Sequence, residues 1–551
     1  MTRKKLKGNK DARRFKLSRS LSIGSPDAET DRRLMDVFVE NESLAALLNI
    51  DNQKSVVIGR TGSGKSALLQ YIELTEERVS RIDPEAMSMR FLANSTILNY
   101  FRTIGLNLNF FYKVLWKHVL IIELLKFHVG EDELKRVNWI ENIKSKLFSK
   151  SKKNPRKERA IEYLSKWGRE FWLDTETRIK EIEQKVESKF LESIGLTKQS
   201  FQLGIQNENL IGEIVRTEYR QKAEAVINES HAEDLIEIVS ILRGDIFNES
   251  GKRYYVIIDD LDKEWISTNV RYDLITALIE VVKEFQIFNG VKIIIALRDN
   301  LHQILFSGVK HNGGQREKFK PLYLNLTWST EELRLLIDRR LASISENQLS
   351  IQSAFEKIYN KQIDGFEYVL ERTFLRPRDV ISYINHMLEK VESKSSFSLD
   401  LIQKAEINYS FDRLQAIEDE WGENYGNLKD IYSFLIGKYN GFKIRNLKED
   451  EFFEFLLNDS PEQSYRGDLL TIHERSKSGM KFSNVAKEII FLLYQIGIVG
   501  IKKGPTYPVT FYYQSDTLLT VNDLNQDAKI YVHKAFYSVL KINTKELEPD
   551  F

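Results

Sequence analysis

Short runs of apolar and β-branched residues recur along the chain, and each has the length of one β-strand. They lie at residues 55–58, 254–258, 291–297 and 322–326, and residues 89–93 form a further candidate. Continuous runs of this kind are typical of parallel strands that are buried on both faces of a sheet. The pattern predicts an α/β fold with five parallel strands, in which an extra strand separates the strand at 55–58 from the strand at 254–258.

Apolar residues at spacings of three and four predict helices between residues 110 and about 231. One apolar face contains Phe111, Val114, Leu115, His118, Ile122 and Leu125, and a second contains Ile179, Ile182, Val186 and Phe190. The basic segment at 147–159 is expected to be a loop between helices. Because the spacing holds over only about three turns, it favours a helix hairpin over a coiled coil. The region is either a surface for a subunit, partner or nucleic acid, or structural filler.

A helix is also expected at residues 377–390. Pro377 suits the first turn of a helix and restricts Arg376 to an extended conformation. The apolar face of this helix consists of Val380, Ile381, Ile384 and Met387. Arg376 and Arg378 then lie at its start, where positive charge opposes the helix dipole and an anionic group should be near. The alternative is an arginine pair bonded to Glu371 or Asp379.

The C-terminal pattern predicts a winged-helix-like domain. Residues 485–500 indicate a helix that runs into a strand, 509–513 indicate a second strand after a Gly-Pro turn, and 527–542 indicate a closing helix. Lys502 and Lys503 would lie in the wing, where a DNA-binding version contacts phosphates. Protein docking is the alternative role of such a domain.

The segment GRTGSGKSALL matches the phosphate-binding pattern G-x-x-x-x-G-K-[ST], with Gly59, Gly64, Lys65 and Ser66 at the fixed positions. A strand before the motif and a helix after it are the context that this motif requires. Lys65 is expected to reach the β- and γ-phosphates of a nucleotide, and Ser66 to hold Mg²⁺. The other candidate nucleotide-binding residues are Arg60, Thr61, Gly62, Ser63 and Ala67. A glycine-rich turn before an ordinary helix is the alternative.

Carboxylates follow the apolar run at 254–258. They are Asp259, Asp260 and Asp262, and they would emerge at the carboxyl edge of the sheet, where ligands bind in open α/β folds. We expect Asp259 to hold Mg²⁺, through water or Ser66, and Asp260 to polarise the attacking water in catalysis. A capped turn at the strand end is the alternative.

The strand at 291–297 delivers Arg298 to the same edge of the sheet. A guanidinium there could report whether a γ-phosphate is present, which makes Arg298 a candidate catalytic residue together with Lys65 and Asp260. Alternatively, Arg298 pairs with a surface carboxylate.

Composition excludes several functional classes. The 551 residues include 81 Lys plus Arg and 80 Asp plus Glu, so the net charge of +1 does not indicate a general polyanion binder. There is no cysteine, which excludes disulfides and thiol catalysis, and the eight histidines lack metal-ligand spacing. Nine of the first nineteen residues are Lys or Arg, which predicts a flexible basic arm. No apolar run suggests a membrane span, and a cytoplasmic location is expected.

Five segments together carry a resemblance to a known family. GRTGSGKSALL, VIIDDLD, IIIALRDN, LTWSTEELRLLIDRRL and FLRPRDVISYINHML, in this order, resemble the STAND and origin-recognition-like branch of AAA+-related P-loop ATPases. The chain is similar to prokaryotic members of the defence-associated type. The resemblance implies an ASCE-type P-loop NTPase with a helical lid, in which Arg376 and Arg378 reach the nucleotide. Many AAA+ ATPases have Glu where this chain has Asp260, and the shorter side chain suggests slow turnover.

The expected function is an ATPase that uses ATP and Mg²⁺ and acts as a nucleotide-dependent switch. The resemblance implies a role in antiphage defence, with a homo-oligomer or a separate effector protein as partner, and nucleic acid is a further candidate partner. The alternative is a DNA-associated ATPase, such as a loader, translocase or repair factor. The expected domains are a basic arm at 1–20, a first core part at 21–106, a helical insertion at 107–235, a second core part at 236–328, a lid at 329–425 and a winged-helix-like domain at 426–551.

Overall fold

The computed structural model describes residues 15–84, 108–129, 184, 187–194, 239–247, 251–263, 268–307, 316–358, 363–514 and 519–544. They belong to two compact units. The described residues of the first unit fall within Met1–Val39, Thr61–Gly64 and Thr327–Phe551, and those of the second within Glu40–Arg60 and Lys65–Leu326. The predicted strand at 89–93, the loop at 147–159 and the helical positions Ile179, Ile182 and Val186 lie outside the described residues.

The second unit contains a sheet of five parallel strands. They are β1 (Val56–Gly59), β2 (Val79–Ile82), β3 (Tyr254–Ile258), β4 (Val291–Arg298) and β5 (Tyr323–Asn325). The strand order is β2-β3-β4-β1-β5, so β4 separates β1 from β3 as the sequence predicted. Ile295 in β4 lies opposite Val56 of β1 on one side and Ile258 of β3 on the other. The α/β fold with a parallel sheet is therefore confirmed.

The strands that the sequence indicated most clearly are those whose residues are buried. Every residue of β3, and all of β4 except Arg298, is buried, as apolar runs on both faces require. In β2 only Ile82 is buried, because this strand lies at the edge of the sheet.

The helices follow in chain order. They are α1 (Leu34–Val37), α2 (Glu42–Leu48), α3 (Lys65–Thr75), α4 (Asn109–Val129), α5 (Thr268–Phe285), α6 (Asp299–Ser307), α7 (Arg316–Phe319), α8 (Thr330–Ile344), α9 (Ile351–Ala354), α10 (Gly365–Leu370), α11 (Pro377–Lys390), α12 (Leu399–Tyr425), α13 (Lys429–Tyr432), α14 (Phe453–Leu456), α15 (Pro461–Ser464), α16 (Gly467–Lys477) and α17 (Phe482–Ile496). Two short strands, β6 (Lys357–Ile358) and β7 (Ile363–Asp364), form a separate antiparallel pair.

Helix α4 is part of the core of the second unit. Trp116 is fully buried, and its Nε1–H donates to the carbonyl oxygen of Leu274 in α5 at 2.8 Å. The apolar residues of the first predicted helical face are buried in the same cluster as Val256 and Ile258 of β3, and His118 of that face is buried as well. The first helix of the predicted insertion therefore completes the core beside the sheet.

In the first unit, α11 begins at Pro377 and ends at Lys390, as predicted. Its four predicted apolar residues are all buried. Residues 15–20 are the described part of the predicted basic arm, and Leu17 contacts the rest of this unit. Leu17 is fully buried, and its N–H donates to the carbonyl oxygen of Lys394 at 2.8 Å.

A three-stranded antiparallel sheet lies in the C-terminal part of the first unit. Its order is β8-β10-β9, with β8 at Phe442–Lys443, β9 at Val499–Lys502 and β10 at Lys529–Val532. Helix α17 precedes β9, as predicted. The predicted second strand at 509–513 does not form: Thr510 makes only an isolated bridge to Ile501, with two backbone hydrogen bonds of 2.9 Å, and Tyr512–Gln514 form a 3₁₀ turn.

The prediction of a closing helix at 527–542 is wrong. Residues 529–532 form β10, and a 3₁₀ turn at Lys534–Phe536 follows. Ile530 and Val532 are buried while Lys529 and Tyr531 are partly exposed, an alternation with the period of a strand. Pairing with β9 and β8 decides the conformation of this segment. Nowhere in the described part of the chain is a helix both long and apolar enough to cross a lipid bilayer.

Candidate nucleotide-binding site

The loop between β1 and α3 contains two glycines with positive φ. Gly62 has φ +80° and Gly64 has φ +94°, a region that side-chain-bearing residues rarely adopt. A Cβ on Gly62 would lie 2.6 Å from the Cβ of Arg378. Glycine is therefore required at position 62 by both conformation and space.

Four residues of the first unit hold the tip of this loop, and we name them the loop clamp: Trp328, Arg376, Arg378 and Glu420. The Arg376 guanidinium donates to the Thr61 carbonyl oxygen at 2.6 Å, and the backbone N–H of Arg378 donates to the Gly62 carbonyl oxygen at 3.3 Å. Indole Nε1–H of Trp328 donates to the Ser63 carbonyl oxygen at 2.8 Å. Glu420 accepts a hydrogen bond from the Thr61 N–H at 3.4 Å.

The loop clamp fixes the orientation of the loop peptides. In a trans peptide the C=O and the following N–H point in opposite directions. With the carbonyls of residues 61, 62 and 63 tied to the loop clamp, the N–H groups of Gly62, Ser63 and Gly64 point away from it. Successive N–H groups that point to one side are the arrangement from which anion-binding nests are built.

Two hydroxyl groups of the loop indicate whether a phosphate group could bind there. Thr61 Oγ1 and Ser63 Oγ are buried and have no hydrogen-bond partner among the described residues. A buried hydroxyl without a partner is costly, and an acceptor-rich ligand would satisfy it. The loop therefore fits a phosphate group.

Lys65 is the first residue of α3, and its ammonium contacts the end of β1. It donates to the carbonyl oxygens of Gly59 at 2.6 Å and Arg60 at 3.2 Å. Ser66 follows in the first turn of α3 and is half-buried. Ala67 follows Ser66, so all candidate residues from Gly59 to Ala67 lie on one loop and helix start.

Asp259 lies directly after β3 and is buried. Arg81 of β2 donates to its Oδ2 at 2.9 Å, and the N–H of Asp260 donates to its Oδ1 at 2.9 Å. Burial raises the pKa of the Asp259 carboxyl, and the charge of Asp260 adds to this, whereas the Asp260 N–H, Arg81 and Lys65 act in the opposite direction. The charge of Lys65 acts on Asp259, so the structure brings the two motifs into one electrostatic environment.

Asp260 has φ 60°, in the left-handed region. Its carboxylate is 42% exposed and pairs with Lys263 at 3.0 Å. Strained backbone of this kind is concentrated at functional sites. No group of three or more acidic or histidine side chains with metal-binding geometry occurs among the described residues. A magnesium ion here would take few protein ligands, as it does where a nucleotide supplies the others.

Arg298 ends β4 opposite Gly59 of β1, so the structure places it beside the start of the loop. Its Nε lies 2.5 Å from Oδ2 of Asp262. Arg298 therefore pairs with a carboxylate, which was the alternative reading of its sequence position.

Arg376 and Arg378 are both engaged by carboxylates. Arg376 is buried and pairs with Asp379 at 3.0 Å, and Arg378 pairs with Asp27. For Arg376, the sequence alternative of a bond to Asp379 is what the structure contains. Arg413 of α12 also pairs with Asp379, at 2.5 Å.

A sequence model of the family described as "FunZ-associated C-terminal helical domain" matches residues 331–418. This stretch runs from α8 into α12. Over 549 residues the chain is 20% identical to the "Putative transposon gamma-delta 80.3 kDa protein" of Escherichia coli (strain K12). The alignment covers 97% of this chain and 69% of that protein. No solved structure matches the chain.

Sequence reasoning missed the roles of Arg81, Trp328, Arg413 and Glu420. Arg81 lies in a strand whose pattern is too polar to be recognised. Trp328 and Glu420 reach the loop from positions 265 and 359 residues away along the chain, so local patterns carry no signal for these contacts.

Proposed function

We propose that this chain binds ATP with Mg²⁺ at the phosphate loop, hydrolyses it slowly and acts as a nucleotide-dependent switch. The observation that carries the proposal is the orientation of the loop, in which three successive carbonyls are tied to the loop clamp and the intervening N–H groups face the other way. N–H groups arranged in this way before a helix start form a phosphate-binding site.

Each residue of the site has a distinct task in this proposal. Lys65 exchanges its loop carbonyls for phosphate oxygens. Ser66 and Asp259 hold Mg²⁺, which supplies positive charge to the β- and γ-phosphates when it is bound. Asp260 orients and polarises the attacking water, and its 42% exposure leaves it accessible to water. Arg298 would have to leave Asp262 before it could contact a γ-phosphate.

The contacts of Arg376 change its proposed role. Because its guanidinium already holds Asp379 and the Thr61 carbonyl, we assign it to positioning the loop. The loop clamp then senses the phosphates through the loop itself, and nucleotide-dependent changes in the loop would alter the first unit.

The biological part of the proposal rests on resemblance. Similarity to defence-associated ATPases suggests a cytoplasmic role in antiphage defence, with further copies of the chain or a separate effector as partner. A DNA-associated ATPase is the second candidate, favoured by similarity to a protein whose name refers to a transposon. ATP turnover that DNA stimulates would favour this second candidate.

The central test compares Lys65→Ala with Lys390→Ala, which removes an exposed lysine of α11. Charge-assisted contacts contribute about 1.5–3 kcal/mol each, so losing those of Lys65 to two phosphates should weaken ATP binding by about 100-fold or more. Isothermal titration calorimetry measures the affinity, and the Lys390→Ala protein should bind as the unmodified protein does. Unchanged affinity in Lys65→Ala would show that the site is wrongly assigned.

Asp260→Asn separates binding from chemistry in the same experiment. The amide cannot act as a base, so we expect ATP affinity to persist while phosphate release slows by about 10²-fold or more. Equal turnover in the two proteins would remove Asp260 from the catalytic role.

A further inference from the structure

Three lysines lie in one row across the small antiparallel sheet. Lys529 of β10 is directly opposite Lys443 of β8 and also directly opposite Lys502 of β9. Residues opposite one another on antiparallel strands lie on the same face of a sheet. With neighbouring strands about 4.8 Å apart, this lysine row spans about 10 Å.

The lysine row lies on the outer face of the sheet. Ile530 and Val532 alternate with Lys529 along β10 and are buried with α17 in the apolar cluster of this part of the unit. The three lysines are partly exposed. Tyr531, also partly exposed, follows Lys529 at a spacing of two and so lies on the same face.

No described acidic side chain pairs with the lysine row. Two acidic residues of this region are already engaged by other cations: Asp523 pairs with Lys503 at 2.9 Å and Asp527 with Arg445 at 2.8 Å. Like charges directly opposite one another destabilise a sheet. The row therefore costs stability within the chain, and an external polyanion would relieve that cost.

We infer that this outer face binds the phosphodiester backbone of DNA, with Lys443, Lys502 and Lys529 each neutralising phosphate charge. A linear row of cations suits a linear array of phosphates, and the net charge of only +1 for the whole chain means that the attraction is local. The inference goes beyond the proposed nucleotide switch and does not depend on the phosphate loop. It moves the phosphate contact from Lys503, which is paired, to the lysine row.

The test uses the full chain and labelled duplex and single-stranded DNA of one mixed sequence, with binding measured by fluorescence anisotropy at several salt concentrations. The triple variant Lys443→Gln, Lys502→Gln, Lys529→Gln removes the lysine row. The matched control Lys390→Gln, Lys429→Gln, Lys477→Gln removes the same charge from exposed positions elsewhere in the same unit.

We expect the row variant to bind DNA at least about 10-fold more weakly, and its plot of log affinity against log salt to be shallower by about 2.7 for duplex DNA. The control should change the slope by less than about 1. Whichever DNA form shows this difference is the form that the face binds. Equal effects of the two variants would overturn the inference, as would competition by polyglutamate as effective as that by DNA, which would indicate an acidic protein partner.

Thermal unfolding separates lost binding from lost folding. Because the lysines repel one another, Lys529→Gln alone should leave the melting temperature unchanged or raise it. A lower melting temperature in this variant would mean that Lys529 has a structural role and would count against the inference.

Discussion

Asp379 joins Arg376 of the loop clamp to Arg413 of α12. Its carboxylate is fully buried and accepts hydrogen bonds from Arg376 at 3.0 Å, Arg413 at 2.5 Å and the N–H of Phe374 at 3.1 Å. Burial alone would raise the pKa of this carboxyl, but the two arginines and the hydrogen bonds lower it to about 2. One charged side chain therefore holds two buried cations in place.

We predict that Asp379→Asn destabilises the first unit by about 3–5 kcal/mol, because two buried arginines lose their counter-charge. The matched control is Asp400→Asn, which breaks an exposed pair with Lys404 on α12 and should cost less than about 1 kcal/mol. Urea unfolding followed by tryptophan fluorescence measures both. A cost for Asp379→Asn no larger than that of the control would contradict a central role for this carboxylate.

The pH dependence gives a second signature of the same residue. A carboxyl whose pKa is lower in the folded than in the unfolded state stabilises the fold above the unfolded pKa, near 3.9. That contribution, about 2.5 kcal/mol for a folded pKa of about 2, is lost as the pH falls from about 4 to about 2. The Asp379→Asn protein should lack this component of the pH dependence.

Residue roles differ in how far the sequence could predict them. Lys65 and Asp259 could be proposed from the sequence because each lies in a short motif whose residue types and spacing are typical of phosphate or metal chemistry. The partner of Arg376 could not be predicted in the same way, since the Thr61 carbonyl that it contacts is 315 residues distant in sequence. Arg298 ends β4 and Asp262 follows the neighbouring β3, and their side chains form an ion pair. The sequence offered such a pair as an alternative for Arg298 but did not identify Asp262 as its partner.

At the scale of elements, the conformation of the loop between β1 and α3 depends on the start of α11. The backbone of Gly62 has a left-handed conformation. A side-chain Cβ at this position would lie 2.6 Å from the Cβ of Arg378, which is too close for any residue other than glycine. The N–H of Arg378 also bonds the Gly62 carbonyl. The loop and the helix start therefore fit one another only when residue 62 has no side chain.

We predict that Gly62→Ala reduces ATP affinity by about 10-fold or more, since it both strains the loop and displaces the Arg378 backbone. Gly437→Ala is the control, because Gly437 has a similar φ of +73° with no atom within 4 Å of a Cβ. This control should lose about 1–2 kcal/mol of stability from backbone strain and bind ATP normally. Isothermal titration calorimetry measures the ATP affinity of both proteins. An unchanged affinity in Gly62→Ala would show that ATP binding does not depend on the left-handed conformation of residue 62.

Strands and helices were predictable where one face or both faces are uniformly buried. Runs such as β3 and β4, and the amphipathic α11, report their environment in their own residues. β2 does not, because an edge strand keeps polar residues. The segment at 529–532 was misassigned because its apolar residues also fit a helix, and only pairing with β8 and β9 selects the strand.

At the scale of the whole molecule, the proposed switch predicts a change of assembly. A slowly hydrolysed ATP analogue should shift the measured mass in solution from that of 64.5 kDa chains toward a multiple of it, or toward a complex with an effector. Lys65→Ala should show no such shift. Mass measurement by light scattering that finds the same mass with and without the analogue, both alone and with candidate effectors, would argue against the switch.

Helix α12 joins distant parts of the first unit. It is 27 residues long, and near its end Glu420 accepts from the loop, while Ser410 in its middle donates to the Ala535 carbonyl and accepts from the Val539 N–H. At 1.5 Å per residue, Glu420 lies about 30 Å from the other end of the helix. Under the proposed switch, a tilt of α12 by about 5° where it meets the loop would move its far end by about 3 Å. Sub-ångström rearrangement around a phosphate would in this way become a displacement large enough to open or close a protein contact.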